Sequence, residues 1–510
     1  MTLDGDMKKA VVIIIVSVAL LFLFSACSKK SDLVVRYEME KKLNEADRLQ
    51  EQFSLKGPVL SESDFKTLVK AYSKVIKMVS LPNNPDDVAA ASKERSEAWA
   101  VALLTHTRIG ALYRKYKEYD KAYDYYKTVL ESPAADSIQA CAMINYMALC
   151  REKAAKFMEA AELYDLLADC YIRIAVPINP NMDAMEAPII AAEMWLKMGD
   201  RNKYNQKLNQ ARNYYNKFRE KFPDTPLGYT AIGKMVATYL RQADYQQAIT
   251  LLRSAKNDST GLLSPRLMLM IADIQIKYTK QYKELEKTYR EFIRVYPEHD
   301  RIGTAYLGLG ISLYEQGKYL KARKAMQNIK EAPKVSSFTV AEAYYLTALC
   351  YEKEGRWEKA IGQFDLIMAT FPGHEKAFEA GLHVANRYKD KGQTKIAQQK
   401  FIETMEYIKR YTNPETANRV MVSRAMGYLV RCYTEMEDIP MAIETLIQTF
   451  NRYPNLPEGK YAPLRIADLY ENVLKDNPKA AHWLKTFIKA NPDKQGNEEL
   501  KAHIDGLEQP

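Results

Sequence analysis

The stretch AEAYYLTALCYEKEGRWEKAIGQFDLIMATFP, residues 341–372, decides the fold. Its apolar residues fall at three- and four-residue spacing on both sides of a short polar break, Lys353-Glu354-Gly355-Arg356. That spacing marks one face of a helix, so the segment is two helices with a tight turn between them. With Ala360 as reference, Ala348 stands twelve residues earlier and Tyr351 nine earlier. Trp357 is three earlier, Phe364 four later and Pro372 twelve later. A small residue such as Ala348 lets the first helix approach the second, the aromatics fill the space between them, and proline ends the unit.

The same arrangement surrounds Ala122 (Gly110, Tyr113, Tyr119, Tyr126, Pro133), Ala322 (Gly310, Leu313, Tyr319, Met326, Pro333) and Ala442 (Val430, Tyr433, Ile439, Leu446, Pro454). The reference positions keep time along the chain. Ala211, Ala248, Leu285, Ala322, Ala360 and Ala397 are separated by 37, 37, 37, 38 and 37 residues. The series extends back through Ala160 and Ala122 and forward through Ala442 to about Ala480. A fixed period of this length means stacked copies of one supersecondary unit, each burying its apolar face on the next. The expected fold is all-α, a right-handed superhelical solenoid of about ten helix-turn-helix units with a period near 37 residues.

Tyr306, Leu309, Gly310, Leu313, Tyr319, Ala322 and Pro333 resemble the tetratricopeptide-repeat (TPR) signature, as do Tyr344, Ala348, Tyr351, Trp357, Ala360, Phe364 and Pro372. The resemblance covers roughly residues 95 to 495. It departs in length, the family unit being about 34 residues, and in Thr394 and Ile439, which replace the usual aromatic. Two further phrases, Phe218-Arg-Glu-Lys-Phe-Pro-Asp-Thr-Pro226 and Phe292-Ile-Arg-Val-Tyr-Pro297, look like the joints of envelope repeat proteins of the BamD and Tol-Pal coordinator type.

The N-terminus bears on the compartment. Met7-Lys8-Lys9 precedes an apolar run from Ala10 to Phe24 and then Ser25-Ala26-Cys27. A positive region, a short apolar stretch and a small-residue site describe a secretory signal. Phe24-Ser25-Ala26-Cys27 resembles a lipoprotein lipobox, which implies cleavage after residue 26, acylation of Cys27 and a lipid anchor. Ser28 after the cysteine resembles the pattern of lipoproteins sent to the bacterial outer membrane. The alternative is an uncleaved anchor, although the run is short against the roughly 20 residues of a bilayer span. Met1 and Met7 both remain open as start sites.

The formal net charge is +10. Loss of residues 1–26 removes Lys8, Lys9, Asp4 and Asp6 together and leaves it unchanged. No basic run concentrates that charge, which argues against nucleic acid as a partner. Cys150, Cys350 and Cys432 each lie ten residues before a reference alanine and read as small core fillers. Cys141 and Cys170 are left as a pair that could meet across neighbouring helices.

The segments then follow. Residues 1–26 are the signal; 27–56 are a tether and an amphipathic helix carrying Met39, Leu43, Ala46, Leu49 and Phe53 on one side. Residues 57–92 are capping helices, one from about Ser63 to Val79 with Ser61 and Asp64 as its cap. Residues 93–495 are the solenoid and 496–510 a C-terminal tail. The step from Ala160 to Ala211 is 51 residues. Its excess falls in a proline-rich insertion at 176–188, whose prolines argue against a continuous helix and for a loop. The step from Ala397 to Ala442 is 45 residues, and an extension of the second helix toward Tyr411 accounts for it.

Chemistry-bearing motifs are weak. Gly228-Tyr-Thr-Ala-Ile-Gly-Lys234 imitates a phosphate-binding loop, but Met235 stands where Ser or Thr is required. The six histidines form no ligand-spaced cluster apart from the weak His374/His383 pair. The expectation is no catalytic residue, no metal, no cofactor, and binding through the solvent side of the first helices. There Thr304, Leu307 and Ile311 lie in one unit, Tyr345 and Glu352 in the next, then Leu382 and Asn386, then Arg424 and Arg431. This mixture suits a peptide or helix groove. The reading is a lipid-anchored, periplasm-facing scaffold at the outer membrane that binds other envelope proteins or peptides. The alternative is a SusD-like nutrient- or glycan-capture lipoprotein, which would carry long Asn/Gly/Trp-rich insertions between units.

Overall fold

A computed structural model describes residues 30–55, 60–176, 181–258, 264–329, 335–415, 417–492, 494 and 496–508. The signal segment, Cys27, Pro177, Pro180 and Pro333 lie outside them. Every element among the described residues is helical. The chain divides after Leu267 into two compact halves.

The N-terminal half opens with α1 (Asp32–Leu55), α2 (Glu62–Ile76) and a short α3 (Pro85–Ala89). Helix pairs follow: α4/α5 (Lys93–Lys115, Tyr119–Leu130), α6/α7 (Ser137–Lys153, Phe157–Ile174), α8/α9 (Met182–Lys197, Arg201–Lys221) and α10/α11 (Pro226–Arg241, Tyr245–Asp258). Helix α12 (Ser264–Ile274) runs across the division and is followed by α13 (Tyr282–Val295). The C-terminal half continues with α14/α15 (Ile302–Glu315, Tyr319–Ile329), α16/α17 (Ser337–Lys353, Trp357–Thr370), α18/α19 (Glu375–Asp390, Thr394–Lys409) and α20/α21 (Arg419–Glu435, Ile439–Arg452). It closes with α22 (Pro457–Lys460), α23/α24 (Ala462–Asp468, Asn477–Ala490) and α25 (Asn497–Leu507). Each half is a solenoid in which most successive helices pack on one another.

One backbone feature recurs at every turn inside a pair. Lys117, Ala155, Gly199, Ala243, Lys280, Gly317, Gly355, Gly392, Glu437 and Lys475 all have φ between 50° and 82°. A left-handed residue ends a helix by turning its last amides back onto the final carbonyls. Each of these residues sits five positions before Ala122, Ala160, Tyr204, Ala248, Leu285, Ala322, Ala360, Ala397, Ala442 and Ala480 in turn. All ten of the latter occupy the fourth position of the second helix and are buried. Four residues further on stand Tyr126, Tyr164, Leu208, Leu252, Tyr289, Met326, Phe364, Phe401, Leu446 and Leu484, also buried. At roughly 1.5–3 kcal/mol per large side chain removed from water, this row is the main cohesive element. Glycine in the first helix makes room for it: a Cβ on Gly310 would lie 1.8 Å from the Met326 methyl.

The structure corrects the sequence reading at Ala211. The residue in register is Tyr204, and both steps around it are 44 residues (204 − 160 and 248 − 204). Helix α9 begins two turns earlier than the alanine period implies. Seven residues are nearly two whole turns, so Ala211 lies on the same buried face as Tyr204 and imitates the reference position. The supposed loop at 176–188 is also helical from Met182 onward, with Pro188 buried inside α8. The segment packs between α7 and α9, and that packing outweighs one missing amide donor. The C-terminal tail is likewise a helix, α25, whose Ile504 packs on Ala481 and Leu484.

Met39, Leu43 and Ala46 of α1 are buried against α2 and α4, with Leu49 and Phe53 at the edge. Ser61 caps α2 by accepting a hydrogen bond from the Asp64 amide. Cys141 and Cys170 form a disulfide joining the start of α6 to the end of α7. Cys150, Cys350 and Cys432 are buried free thiols.

Candidate protein-binding face

In the C-terminal half the first helices α14, α16, α18 and α20 follow one another as neighbours. Their polar side chains join successive helices. On α16, the Glu352 carboxylate, only 12% exposed, meets His383 Nε2 of α18 at 2.7 Å and the Arg387 guanidinium beside it. Burial resists its ionisation, but the contacts from His383 and Arg387 hold it below the usual carboxylate range. Lys376 of α18 lies 3.2 Å from Glu342 and 2.8 Å from Glu379. Burial works against its charge, yet these two carboxylates raise its pKa. Burial pushes the Glu342 carboxyl up, Lys376 notwithstanding. From α18 to α20, Glu375 meets Arg424 at 3.3 Å, and Lys389 Nζ reaches Glu435 at 3.1 Å and its carbonyl at 2.7 Å.

The N-terminal half repeats the device in simpler form. Asn145 of α6 donates to Asp183 of α8 at 3.4 Å, and Glu152 meets Lys197 at 2.7 Å. From α8 to α10, Glu186 pairs with Lys234, and Glu193 with Arg241 at 3.0 Å. Lys234 is the lysine of the apparent phosphate loop, and the Gly228 amide donates to its own helix cap, Thr225. The loop's key groups therefore have structural partners.

The expected groove residues fall into three kinds. Thr304, Arg424 and Arg431 are exposed, and the Arg431 guanidinium lies 5.1 Å from the Tyr428 ring centre. Leu307, Ile311 and Asn386 are half-buried, the first two against the core. Tyr345 is 8% exposed. Its ring packs on Phe364 and His383, with Lys376 Nζ 4.7 Å from its centre. Leu382 is a core residue at 1% exposure, and its neighbour His383 holds the place on the face. Sequence reasoning missed Tyr428 of α20 and, on α18, Lys376, Glu379 and His383. The signal for the three on α18 was their three- and four-residue polar spacing, read one residue out of phase. His374 and His383 do not converge: His374 caps α18, accepting from the Lys376 amide. Among the described residues no group of three His, Cys, Asp or Glu side chains is arranged to hold a metal.

A second set of polar contacts lies at the turn end. In three places the residue after a reference position reaches the turn of the next pair, at the sixth residue before that pair's own reference. Asn205 meets Gln242 at 3.3 Å, Glu286 meets Gln316 at 3.0 Å, and Arg323 pairs with Glu354. Lys318, beside the left-handed Gly317, also reaches Glu286 at 2.9 Å.

A family model of the tetratricopeptide repeat matches residues 193–225, 304–334 and 342–374. No curated protein matches the chain. Among solved structures, the chain is similar to Naa15/Naa10 bound to HypK-THB (15% identity, TM-score 0.36), covering 92% of this chain and 66% of that one. It is similar to yeast Tom70 at 11% identity and TM-score 0.36, over 92% of this chain and 96% of the other. A tetratricopeptide repeat protein from Parabacteroides merdae matches at 15% identity and TM-score 0.29, over 63% and 98%.

Proposed function

We propose that this chain is a non-catalytic scaffold, lipid-anchored through Cys27 and facing the periplasm from the bacterial outer membrane. It holds other envelope proteins or peptides on its first-helix faces. The observation that carries the scaffold reading is the open remainder of the face on α14 to α20. Once Glu352, Lys376, Arg424 and Glu435 are engaged between helices, exposed Thr304 and Arg431 and half-buried Leu307 and Ile311 are left at its surface. Apolar patches bounded by charge suit an extended or helical protein segment. Three tetratricopeptide-repeat matches support the same role.

Export is supported by the signal and lipobox residues, and by the Cys141–Cys170 disulfide, a bond that persists in oxidising compartments. No described helix is long and apolar enough to cross a membrane; the proposed attachment rests on the residues from Met7 to Cys27. Crosslinkers placed at Thr304 and Arg431 in cells, followed by mass spectrometry, test the scaffold. Capture of barrel-assembly, division or secretion components is the expected result. Capture of a transporter barrel alone, dependent on glycan, would overturn it in favour of nutrient uptake. Labelling with radioactive palmitate tests the anchor: label is expected on the natural chain and lost in Cys27→Ser.

A further inference from the structure

Leu33, Val34 and Tyr37 form an apolar patch on the first turn and a half of α1, 60%, 42% and 66% exposed. The patch cannot fold inward. Asp32 is tied to α4 by hydrogen bonds from Ser92 (2.9 Å) and Arg95 (3.4 Å), while Val35 and Met39 already occupy the inner face. Of the charges beside it, Lys30 pairs with Glu38 at 2.6 Å, and Arg36 with Glu40 at 3.0 Å and with Glu97; Lys41, four residues beyond Tyr37 on the same side of the helix, is exposed. The patch is therefore apolar and bordered by one exposed lysine.

We propose that this patch inserts into the interfacial layer of the membrane to which the chain is attached, and so fixes the direction in which α1 leaves the bilayer. The occupant follows from where the chain goes. Cys27 lies five residues before Asp32, a reach of at most about 17 Å. An uncleaved anchor ending at Phe24 would lie eight residues before. Under either form of attachment the bilayer surface is within reach of the patch. Leucine and valine enter the acyl boundary, and tyrosine suits the headgroup level. With Lys30 and Arg36 paired, insertion depends mainly on apolar contact, and Lys41 adds a modest attraction to anionic lipid that salt screens.

The inference rests on the proposed N-terminal attachment, so the test supplies that attachment chemically. The chain from Cys27 onward is coupled through Cys27 to a maleimide lipid in phosphatidylcholine vesicles; its other free thiols are buried. Tyr37→Trp is compared with Leu55→Trp, about 27 Å further along α1 on an exposed side chain. Bromine-labelled lipid is expected to quench the tryptophan at 37, after subtraction of the parent chain, and to spare the one at 55. Adding Leu33→Ser and Val34→Ser should lower the inserted-to-free ratio about tenfold. No quenching at 37, equal quenching at 37 and 55, or no effect of the serine pair overturns the proposal. A failure of palmitate labelling in cells would instead remove the lipid anchor and leave this result intact.

Discussion

Within a helix pair the chain reverses direction in one way; between pairs it does so in many. All ten internal turns among the described residues place a left-handed residue five positions before the buried reference side chain, whether that residue is glycine or lysine. The joints share no such rule. Phe222-Pro-Asp-Thr-Pro-Leu-Gly228 and Tyr453-Pro-Asn-Leu-Pro-Glu-Gly459 each bring a glycine against the carbonyl that ends the preceding helix. The joint before α18 turns on Gly373 at φ 75°, and that before α20 runs through Arg410–Asn418. Reversal inside a pair is a property of one residue's backbone. Placement of the next pair depends on chain length and on what clashes, which is why the spacing varies there.

The largest effect should come from breaking a pair at its open end. Cys141 and Cys170 close the hairpin opposite the turn at Ala155, across 29 residues of sequence. The chain-entropy account makes such a link worth about 3–4 kcal/mol. Hydrogen exchange in α6 and α7 should quicken accordingly in Cys141→Ser/Cys170→Ser, and in the natural chain under reductant. The C-terminal half should be unmoved, because repeat stability is mostly a matter between neighbours. Unchanged exchange under reductant would refute the link.

Next in size is a joint. A Cβ on Gly228 would lie 2.1 Å from the Phe222 carbonyl oxygen, and backbone cannot swing aside as a side chain can. Gly228→Ala is expected to lose about 2–3 kcal/mol in urea unfolding. Gly233→Ala, in the same helix with nothing within 4 Å, should gain up to about 1 kcal/mol. Equal effects at both sites would mean that the joint does not depend on close approach.

The turns should answer more weakly and in both directions. Gly355 has φ 73° and no neighbour within 4 Å, so Gly355→Ala meets only left-handed strain, about 1 kcal/mol. Lys280→Gly relieves that strain and should stabilise by a similar or smaller amount, read as a rise in melting temperature. A loss on Lys280→Gly would show that the lysine side chain, rather than its backbone, maintains the turn.

This contrast also governs what the sequence discloses. Pair architecture was legible because small and aromatic residues recur at fixed offsets from Ala122, Ala322, Ala360 and Ala442. Ala211 misled because two helical turns return a residue to the same face; only the Gly199-Asp200 turn, five residues before Tyr204, marks the true register. The disulfide needed the relative positions of two helix ends, which periodicity alone does not supply. On the candidate face an error of one residue is a rotation of about 100°, enough to exchange buried Leu382 for His383. Tyr345 was placed on the right helix, but its aromatic ring goes to the core as tyrosine usually does beside Phe364. Cross-helix rungs such as Glu352 with His383 and Arg387 join residues some 31 to 35 positions apart, and no local pattern announces them.

The smallest expected effect tests whether the turn end also holds neighbouring pairs together. Glu286 of α13 receives Arg290 at 2.9 Å, and from the next turn Gln316 at 3.0 Å and Lys318 at 2.9 Å. Burial opposes its ionisation, but these donors outweigh it and bring its pKa down to about 2. An unfolded glutamate titrates near 4.3. A carboxylate lowered on folding contributes stability that is fully present above the unfolded value and is lost as pH falls through the folded one. Glu286→Gln should therefore melt below the natural chain by a constant margin above about pH 5. That margin should shrink between about pH 4.3 and 2 and vanish below, where the natural side chain is also neutral. A margin that persists at pH 2 would assign the role of Glu286 to shape and hydrogen bonding. The polar contact between α13 and the turn at Gln316–Lys318 would then resemble the joints, which work by fit, more than the charge-paired faces of the first helices.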